Sequence, residues 1–489
     1  MGVAPVVRVL VAGGGIAGLA AAHALVRSGA DVVLVESGPS LGGKIATERV
    51  DGFTIERGPD SFLTLRTAAL DLARELGLGA EVMAPKKPED VFIWHRDRLL
   101  PIPAGTGLGI PTRFVPFLLS PLFSPLEKLR AAAEVAMPAA PPSGDVAIGA
   151  VLRRRFGDPV VDRLAGPLVS AIYGLAVDEL SLDALMPRLR DALARHGSLV
   201  RAGLAARATR SAAPAGPQVV TLRRGMGSLV DALASRLAPA EVRLGTPLES
   251  VERSGARYVA RLGDGTVVDA DGVVIATPAA AAARALGNVA PGAAEALRTI
   301  AYRGTAGVSL AYEERRLRRP LTGHGFLVPE GALPIVACTW TSSKWSDRAP
   351  DGTVLMRATI RADGLLRRGP DELVDVAHRS LARAMGIEGA PLLARTAVWD
   401  GAMPRYSVGH LERLACIAAA LAPLPGIALA GAAYRGTGVP DCIAQGQAAA
   451  QEILSRETKD ERAASEIRLR RSSERTDQAR GEAASLSRS

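Results

Sequence analysis

Residues 6–18 read Val-Val-Arg-Val-Leu-Val-Ala-Gly-Gly-Gly-Ile-Ala-Gly, an apolar run from Val6 to Ala12 that flows directly into Gly13-Gly14-Gly15-Ile16-Ala17-Gly18. A stretch with helical patterning follows. A second apolar run, Asp31 to Val35, then ends on Glu36. Strand, glycine loop, helix, strand and acid in this order form the fingerprint of a dinucleotide site. Each part answers a need. Gly13 permits the tight turn, Gly15 lets the backbone approach a pyrophosphate, and Gly18 lets the helix pack on the strand. The helix N-terminus offers free N–H groups and partial positive charge to phosphates. Glu36, about 20 residues on, stands where a carboxylate accepts hydrogen bonds from an adenosine ribose. The alternative is a glycine-rich turn that binds nothing.

The next residues narrow the nucleotide. Glu36 continues into Ser37-Gly38-Pro39-Ser40-Leu41-Gly42-Gly43-Lys44, where an NAD dehydrogenase usually feeds another helix. A second glycine pair and a cation allow close approach further along a long cofactor. Gly52-Phe53-Thr54-Ile55-Glu56-Arg57-Gly58-Pro59-Asp60-Ser61-Phe62 adds two more loop glycines. This run resembles the amine-oxidase-like flavoproteins, in which FAD is held along its whole length, and it favours FAD over NAD.

A chain of 489 residues exceeds one ordinary core, so two or more domains are expected. Hydrophobic residues make up 48%, enough to bury them. The formal charge of +9 is compatible with nucleic acid, anionic lipid or an acidic small substrate. The arginines are scattered, with no basic run interleaved with aromatics, which argues against nucleic acid. Cys338, Cys416 and Cys442 lie far apart and indicate a reducing compartment. The six histidines form no short-spaced pair, so no metal is expected. No signal peptide is visible, because the first apolar run is a strand that the nucleotide fold needs. The segment Leu108 to Leu126 is apolar but cut by Pro111, Arg113, Pro116, Pro121 and Pro125. It reads as a substrate-tunnel wall or a membrane-touching surface, not a span.

Further along, Asp90–His95 and Arg98–Leu100 read as a strand pair. Leu126–Val135, Ala147–Phe156 and Val160–Tyr173 read as helices, and Ser211–Pro217 as a connector. Gly225-Met226-Gly227 opens a helix ending near Leu237. Short strands follow at Val242–Leu244, Leu248–Glu252, Tyr258–Leu262 and Asp271–Ala276. Ile427–Ala430 is a last strand, which meets Gly431 to Asp441 and a helix Cys442–Leu454. In that unit Gly438, Val439 and Pro440 bring backbone and a helix N-terminus toward a flavin. The fold class expected is mixed α/β: an amine-oxidase-like flavoprotein with a discontinuous Rossmann-like FAD domain (1–88, 217–284 and 415–454), a mixed-sheet substrate domain (89–103 and 285–414) and a helical domain (104–205). Residues 455–489 read as a disordered tail.

Four stretches carry a closer resemblance: Glu56 to Phe62, Pro167-Leu168-Val169-Ser170-Ala171-Ile172-Tyr173, Met403 to His410, and Gly438-Val439-Pro440-Asp441-Cys442-Ile443. In these the chain resembles the FAD-dependent porphyrinogen oxidases of haem biosynthesis. Leu100 to Thr112 and Ala337 to Trp345 are similar to the Gram-positive-type branch associated with coproporphyrinogen III. The resemblance implies six-electron oxidation of a porphyrinogen in three rounds, with dioxygen reoxidising FAD to give hydrogen peroxide. It implies no essential acid or base in the protein. It places Gly13, Gly14, Gly15, Ile16, Ala17, Gly18, Val35, Glu36, Gly43, Lys44, Gly58, Pro59, Asp60, Ser61, Val251, Trp399, Gly438, Val439 and Pro440 at FAD. It places Arg66, Gly325 and Leu327 at the substrate, with Gly325 leaving room and Leu327 packing on the ring. Arg66 also reads as a solvated surface arginine, and Trp399 as a core tryptophan. Implied partners are porphyrinogen, dioxygen and other haem-pathway enzymes, in the cytoplasm with loose membrane contact as an option. A protoporphyrinogen IX oxidase, an amine oxidase, a carotenoid desaturase and a flavin-binding scaffold without turnover stand as alternatives. Three departures from the family pattern are Gly174-Leu175, where Leu175 adds bulk on the expected active-site side, Leu193 in place of a common Glu, and Arg405 in place of a Gln.

Overall fold

The computed structural model describes residues 6–107, 110–111, 113–208, 216–361 and 363–456. The expected tail lies outside the described residues, except for 455 and 456, which continue the last helix. Most of the expected connector Ser211–Pro217 also lies outside them.

The opening stretch folds as it reads. Arg8–Ala12 (β1) and Asp31–Val35 (β2) flank the helix Ile16–Arg27 (α1). From Val9 to Ala12 and from Val32 to Val35 every side chain is buried. Strands that are apolar at every position can only sit inside a parallel sheet covered on both faces. That sheet has five strands in the order Glu241–Arg243, β2, β1, Gly272–Ile275, Ile427–Leu429, all paired in parallel. The strand order reverses at β1. Ligands bind such sheets beyond the carboxyl end of the strand at this switch point, where Gly13 to Gly18 lie.

A second sheet has seven strands. Its order is Leu393–Pro404, Tyr302–Glu313, Thr353–Ile360, Ala337–Thr339, Gly325–Leu327, Val91–His95, Arg98–Pro101. The hairpin 91–101 turns through Arg96 (φ 50°) and Asp97 (φ 59°). Two left-handed residues in a two-residue loop match the twist of the strands they join.

Helices from Pro125 to Ala208 cover one end of this second sheet. Their core holds Leu152, Phe156, Leu164, Val169 and Leu193 together with Ile93 and Leu327 from the sheet. The helix expected at Val160–Tyr173 is interrupted by a π turn, Val161–Ala165, before Gly166–Tyr173 resumes the α form. Pro167 explains it: its ring lacks an N–H and would collide with the carbonyl four residues back, and a wider turn relieves the clash. No helix among the described residues is long and apolar enough to cross a membrane.

Candidate functional site

The site is built around the N-terminus of α1. Gly13 (φ 105°) turns the chain at the end of β1, and its N–H donates to the Val35 carbonyl at 2.7 Å. Its bend brings the loop so close to the next strand that a β-carbon there would stand 2.8 Å from the Ala276 carbonyl oxygen. A β-carbon on Gly18 would stand 1.8 Å from the Gly13 carbonyl oxygen, so only glycine lets α1 pack on its own loop. Gly15 differs. A β-carbon there meets nothing within 4 Å. Gly15 is also the N-cap of α1, with no side-chain cap and no acid in the first turn. A helix start without a cap, facing open space, is the arrangement that accepts an anion.

Glu36 follows β2 and turns back to the loop. Its carboxylate accepts from the N–H groups of Gly14 and Gly38, each at 2.6 Å. The Gly42–Gly43 turn lies against the same loop. The Gly42 N–H donates to the Gly14 carbonyl at 2.8 Å, and a β-carbon on Gly43 would reach the Gly15 α-carbon at 3.3 Å. Lys44 comes next, half-buried, and has no ion-pair partner among the described residues. Burial pulls its pKa down, since the ammonium has lost water and gained no carboxylate. An uncapped helix start, an open glycine face and an unpaired cation together fit the phosphates of a dinucleotide.

The other nominated residues fall into three groups. Val35 and Val251 are buried together in one core cluster, with Val251 on the antiparallel strand Leu248–Ser254. Gly58, Pro59, Asp60 and Ser61 form the loop between the short strands Phe53–Glu56 and Phe62–Leu63. A β-carbon on Gly58 would stand 1.7 Å from the Lys44 carbonyl oxygen, so this glycine serves chain packing. Asp60 accepts from Lys344 Nζ at 3.0 Å, Trp345 Nε1 at 3.2 Å and Ser61 Oγ at 2.7 Å. Burial alone would raise its pKa, yet the Lys344 charge and these bonds hold the carboxyl well below the usual range. Trp399 donates from Nε1 to the Arg57 carbonyl at 2.7 Å, pinning the strand Leu393–Pro404 to the same loop.

The last helix runs over 439–456, three residues earlier than the sequence predicts. Val439 and Pro440 therefore form its first turn, with Gly438 in front of it, and both side chains are buried. The helix crosses α1 where Gly446 meets the Ala17 carbonyl; a β-carbon there would stand 2.0 Å away. A cavity of about 420 Å³ opens beside this helix, lined by Arg66, Thr67, Arg435, Pro440, Asp441 and Gln445. Arg66 is exposed and ion-paired with Asp441. Tyr173 stands close to both, and burial raises its phenol pKa.

Packing bears on two expectations. Gly325 (φ 141°) is fixed as glycine by its own strand pairing, since a β-carbon there would meet the Cys338 carbonyl oxygen at 2.1 Å where Gly325–Leu327 pairs with Ala337–Thr339. Leu175 adds no bulk to a site, because its side chain is fully buried in the helical core beside Leu164 and Leu180. Gly174 caps its helix in the left-handed form (φ 80°), and that turn sends the next side chain inward. Leu327 and Leu193 lie in the same core. Arg405 has an acid partner, Glu179.

Asp441, Tyr173 and Arg435, at or beside the cavity that Arg66 lines, are not nominated by the sequence: the first two lie inside quoted motifs, and an arginine carries no signal in a chain with 59 basic residues.

Comparisons with known proteins agree with this geometry. Residues 16–454 match the family described as flavin containing amine oxidoreductase. A coproporphyrinogen III oxidase of Propionibacterium freudenreichii is 40% identical, over 91% of this chain and 90% of that protein. One of Bacillus subtilis is 34% identical, over 92% and 98%. A solved structure described as a protoporphyrinogen oxidase, from Exiguobacterium sp. 255-15, superposes with a TM-score of 0.82 at 32% identity, covering 92% of this chain and 99% of that one. With a glycine loop, an acid after β2 and a match over nearly its whole described length, the chain belongs to the flavin containing amine oxidoreductases, in the company of the coproporphyrinogen III oxidases.

Proposed function

We propose that this protein oxidises coproporphyrinogen III to coproporphyrin III in haem biosynthesis, with FAD as cofactor and dioxygen as final acceptor. The observation that carries the reading is likeness over nearly the full length of both chains to proteins of that name, at 40% and 34% identity. The balance is three dioxygen consumed and three hydrogen peroxide released per porphyrinogen. Bound FAD supplies the two-electron acceptor for each round.

The chain's own residues bind, orient and exclude water. The free N–H groups at the start of α1 and the Lys44 ammonium would hold the pyrophosphate, and Glu36 the ribose. The first turn of the last helix, at Val439 and Pro440, would place its positive end toward the flavin ring. Burial of Cys442 pushes its thiol up to about 12, which keeps it un-ionised and a poor nucleophile beside the cofactor. FAD is held non-covalently in this reading, and acid precipitation that releases the yellow chromophore is the check. Formation of the conjugated ring supplies driving force, so the protein needs position more than acid–base strength.

The test mixes yellow protein with coproporphyrinogen III in air and follows porphyrin fluorescence and peroxide together. Fluorescence and peroxide rising in step, one porphyrin to three peroxide, is the expected outcome. A protein that binds FAD and yields neither overturns the reading. A second substrate, protoporphyrinogen IX, is favoured by the Exiguobacterium structure. Side-by-side kcat/KM values separate the two.

A further inference from the structure

Two arginines, distant in sequence, meet where the seven-stranded sheet faces the helix Gly166–Tyr173. Arg303 lies near the start of Tyr302–Glu313, and Arg361 directly follows Thr353–Ile360. These strands are antiparallel, with Ala306 opposite Ile360. Continuing the ladder puts Arg361 beside Thr305, two residues from Arg303. Thr305 Oγ1 donates to the Ile360 carbonyl at 3.3 Å and holds that end of the ladder.

Both side chains are directed at the same helix end. Arg361 Nη1 donates to Ser170 Oγ at 2.6 Å. Arg303 pairs across the sheet with Met403, whose side chain is what a β-carbon on Gly174 would touch, at 3.0 Å. Cross-strand partners share a face. Ser170 and Gly174 stand one helical turn apart. Trp399 pairs with Thr305, across a register shift from the Arg303–Met403 pair.

The pair lacks its counter-charge. Both arginines are half-buried, and neither has a carboxylate partner among the described residues. Arg163 with Glu127, Arg190 with Asp183, and Arg153 with Asp158, Asp162 and Asp178 are half-buried arginines with acid partners, whereas Arg357 and Arg413, also without an ion pair among the described residues, donate singly to backbone carbonyls or a serine rather than standing as a pair of cations. The carboxyl end of the helix offers only about half a negative charge. Burial first, and the Arg303 charge second, pull Arg361 down to about 10. Two cations held together and partly withdrawn from water are stabilised by an anion that the described residues do not supply. The helix end they face also carries Tyr173, which stands close to Arg66 and Asp441 on the wall of the 420 Å³ cavity.

We propose that Arg303 and Arg361 form a carboxylate-binding subsite that takes a propionate of the tetrapyrrole, separate from the Arg66–Asp441 pair. The assignment rests on the function proposed above. A flat macrocycle with carboxylates on its rim is oriented only when it is gripped at more than one point. Arg66, already engaged by Asp441, is a weaker grip than two arginines without a partner.

The test uses FAD-loaded protein and three probes: coproporphyrin III, its tetramethyl ester and inorganic phosphate. Flavin absorbance reports that each variant is folded and loaded. The double variant Arg303→Gln/Arg361→Gln should weaken coproporphyrin III binding by about tenfold or more while the ester changes by less than about twofold. Arg361→Lys should recover most of the loss seen on removing that charge. Equal affinity for coproporphyrin III in wild type and double variant overturns the subsite. Equal losses for acid and ester overturn it too, since the residues would then act through shape. Phosphate competing as strongly as coproporphyrin III itself assigns the pair to a free anion and overturns the substrate role. If the double variant loses flavin, Arg303→Gln alone, which keeps the Arg361–Ser170 bond, decides by the same comparison. Failure of the functional reading is visible separately, as wild-type protein that neither binds coproporphyrin III nor oxidises coproporphyrinogen III.

Discussion

At Gly15 and Gly18, three residues apart, a new side chain meets opposite surroundings. Gly15 sits at φ −72°, a conformation any residue adopts, and faces open space. Gly18 has its own loop carbonyl 1.8 Å from where a β-carbon would go. Gly15→Val should therefore leave the fold intact and abolish FAD loading, because the valine occupies only the space a pyrophosphate needs. Gly18→Val should fail to fold or melt far lower, since helix and loop must separate. Flavin absorbance and circular dichroism on the purified variants read both outcomes. A Gly15→Val protein with full flavin occupancy would remove this glycine from the cofactor. The contrast was half legible in sequence: the spacing assigns three roles to three glycines, and only the contacts say which role is also structural.

At the scale of elements, the helix Pro125–Ala132 and the π turn Val161–Ala165 are joined by one ion pair. Ser124 and Glu127 form a capping box at the start of the helix. Arg163, on the π turn, donates to both Glu127 oxygens at 2.9 and 3.0 Å. The Arg163 bonds hold the Glu127 carboxyl down at about 2, from an ordinary 4.5. A depressed carboxyl pKa stabilises the fold above the unfolded value and ceases to do so as pH falls through the folded one. Glu127→Gln keeps the cap and removes the charge. It should cost about 1–2 kcal/mol at neutral pH, with allowance for partial exposure. The gap to wild type should close as pH falls from about 4.5 toward about 2. Urea melts at neutral pH and near pH 3 check this, and a pH-independent gap would refute it. Periodicity predicts both helices, but the π turn follows from Pro167 inside a continuous helix, a steric event that apolar spacing does not report.

In the whole molecule, the loop at Asp60 fastens the strand Val219–Leu222 and its neighbours to the segment that follows Ala337–Thr339 of the seven-stranded sheet. Asp60 bonds Lys344 and Trp345, some 284 residues away in sequence. Motif resemblance nominates Asp60 for FAD, whereas its carboxylate is already shared among three protein donors. Asp60→Ala should leave Lys344 half-buried without a partner and cost about 2–4 kcal/mol. The fall in Tm should be present in protein stripped of FAD as well as in the loaded form. A variant that lost FAD with no change in the Tm of the stripped protein would return Asp60 to the cofactor. The sequence by itself determined the nucleotide half: β1, α1, β2, the glycine loop and Glu36 are local, and their apolar spacing and loop lengths admit one arrangement. Of the seven-stranded sheet it specified only the hairpin strands Val91–His95 and Arg98–Pro101, through alternation and a two-residue turn, and left the other five strands as an undivided mixed sheet. Only the tertiary structure decided what faces what. Leu175 went into the helical core, Gly325 made room for a neighbouring strand, and Arg303 met Arg361 across a ladder. Those outcomes depend on contacts between residues distant in the chain, and a charge or a small side chain shows the need for a partner without naming it.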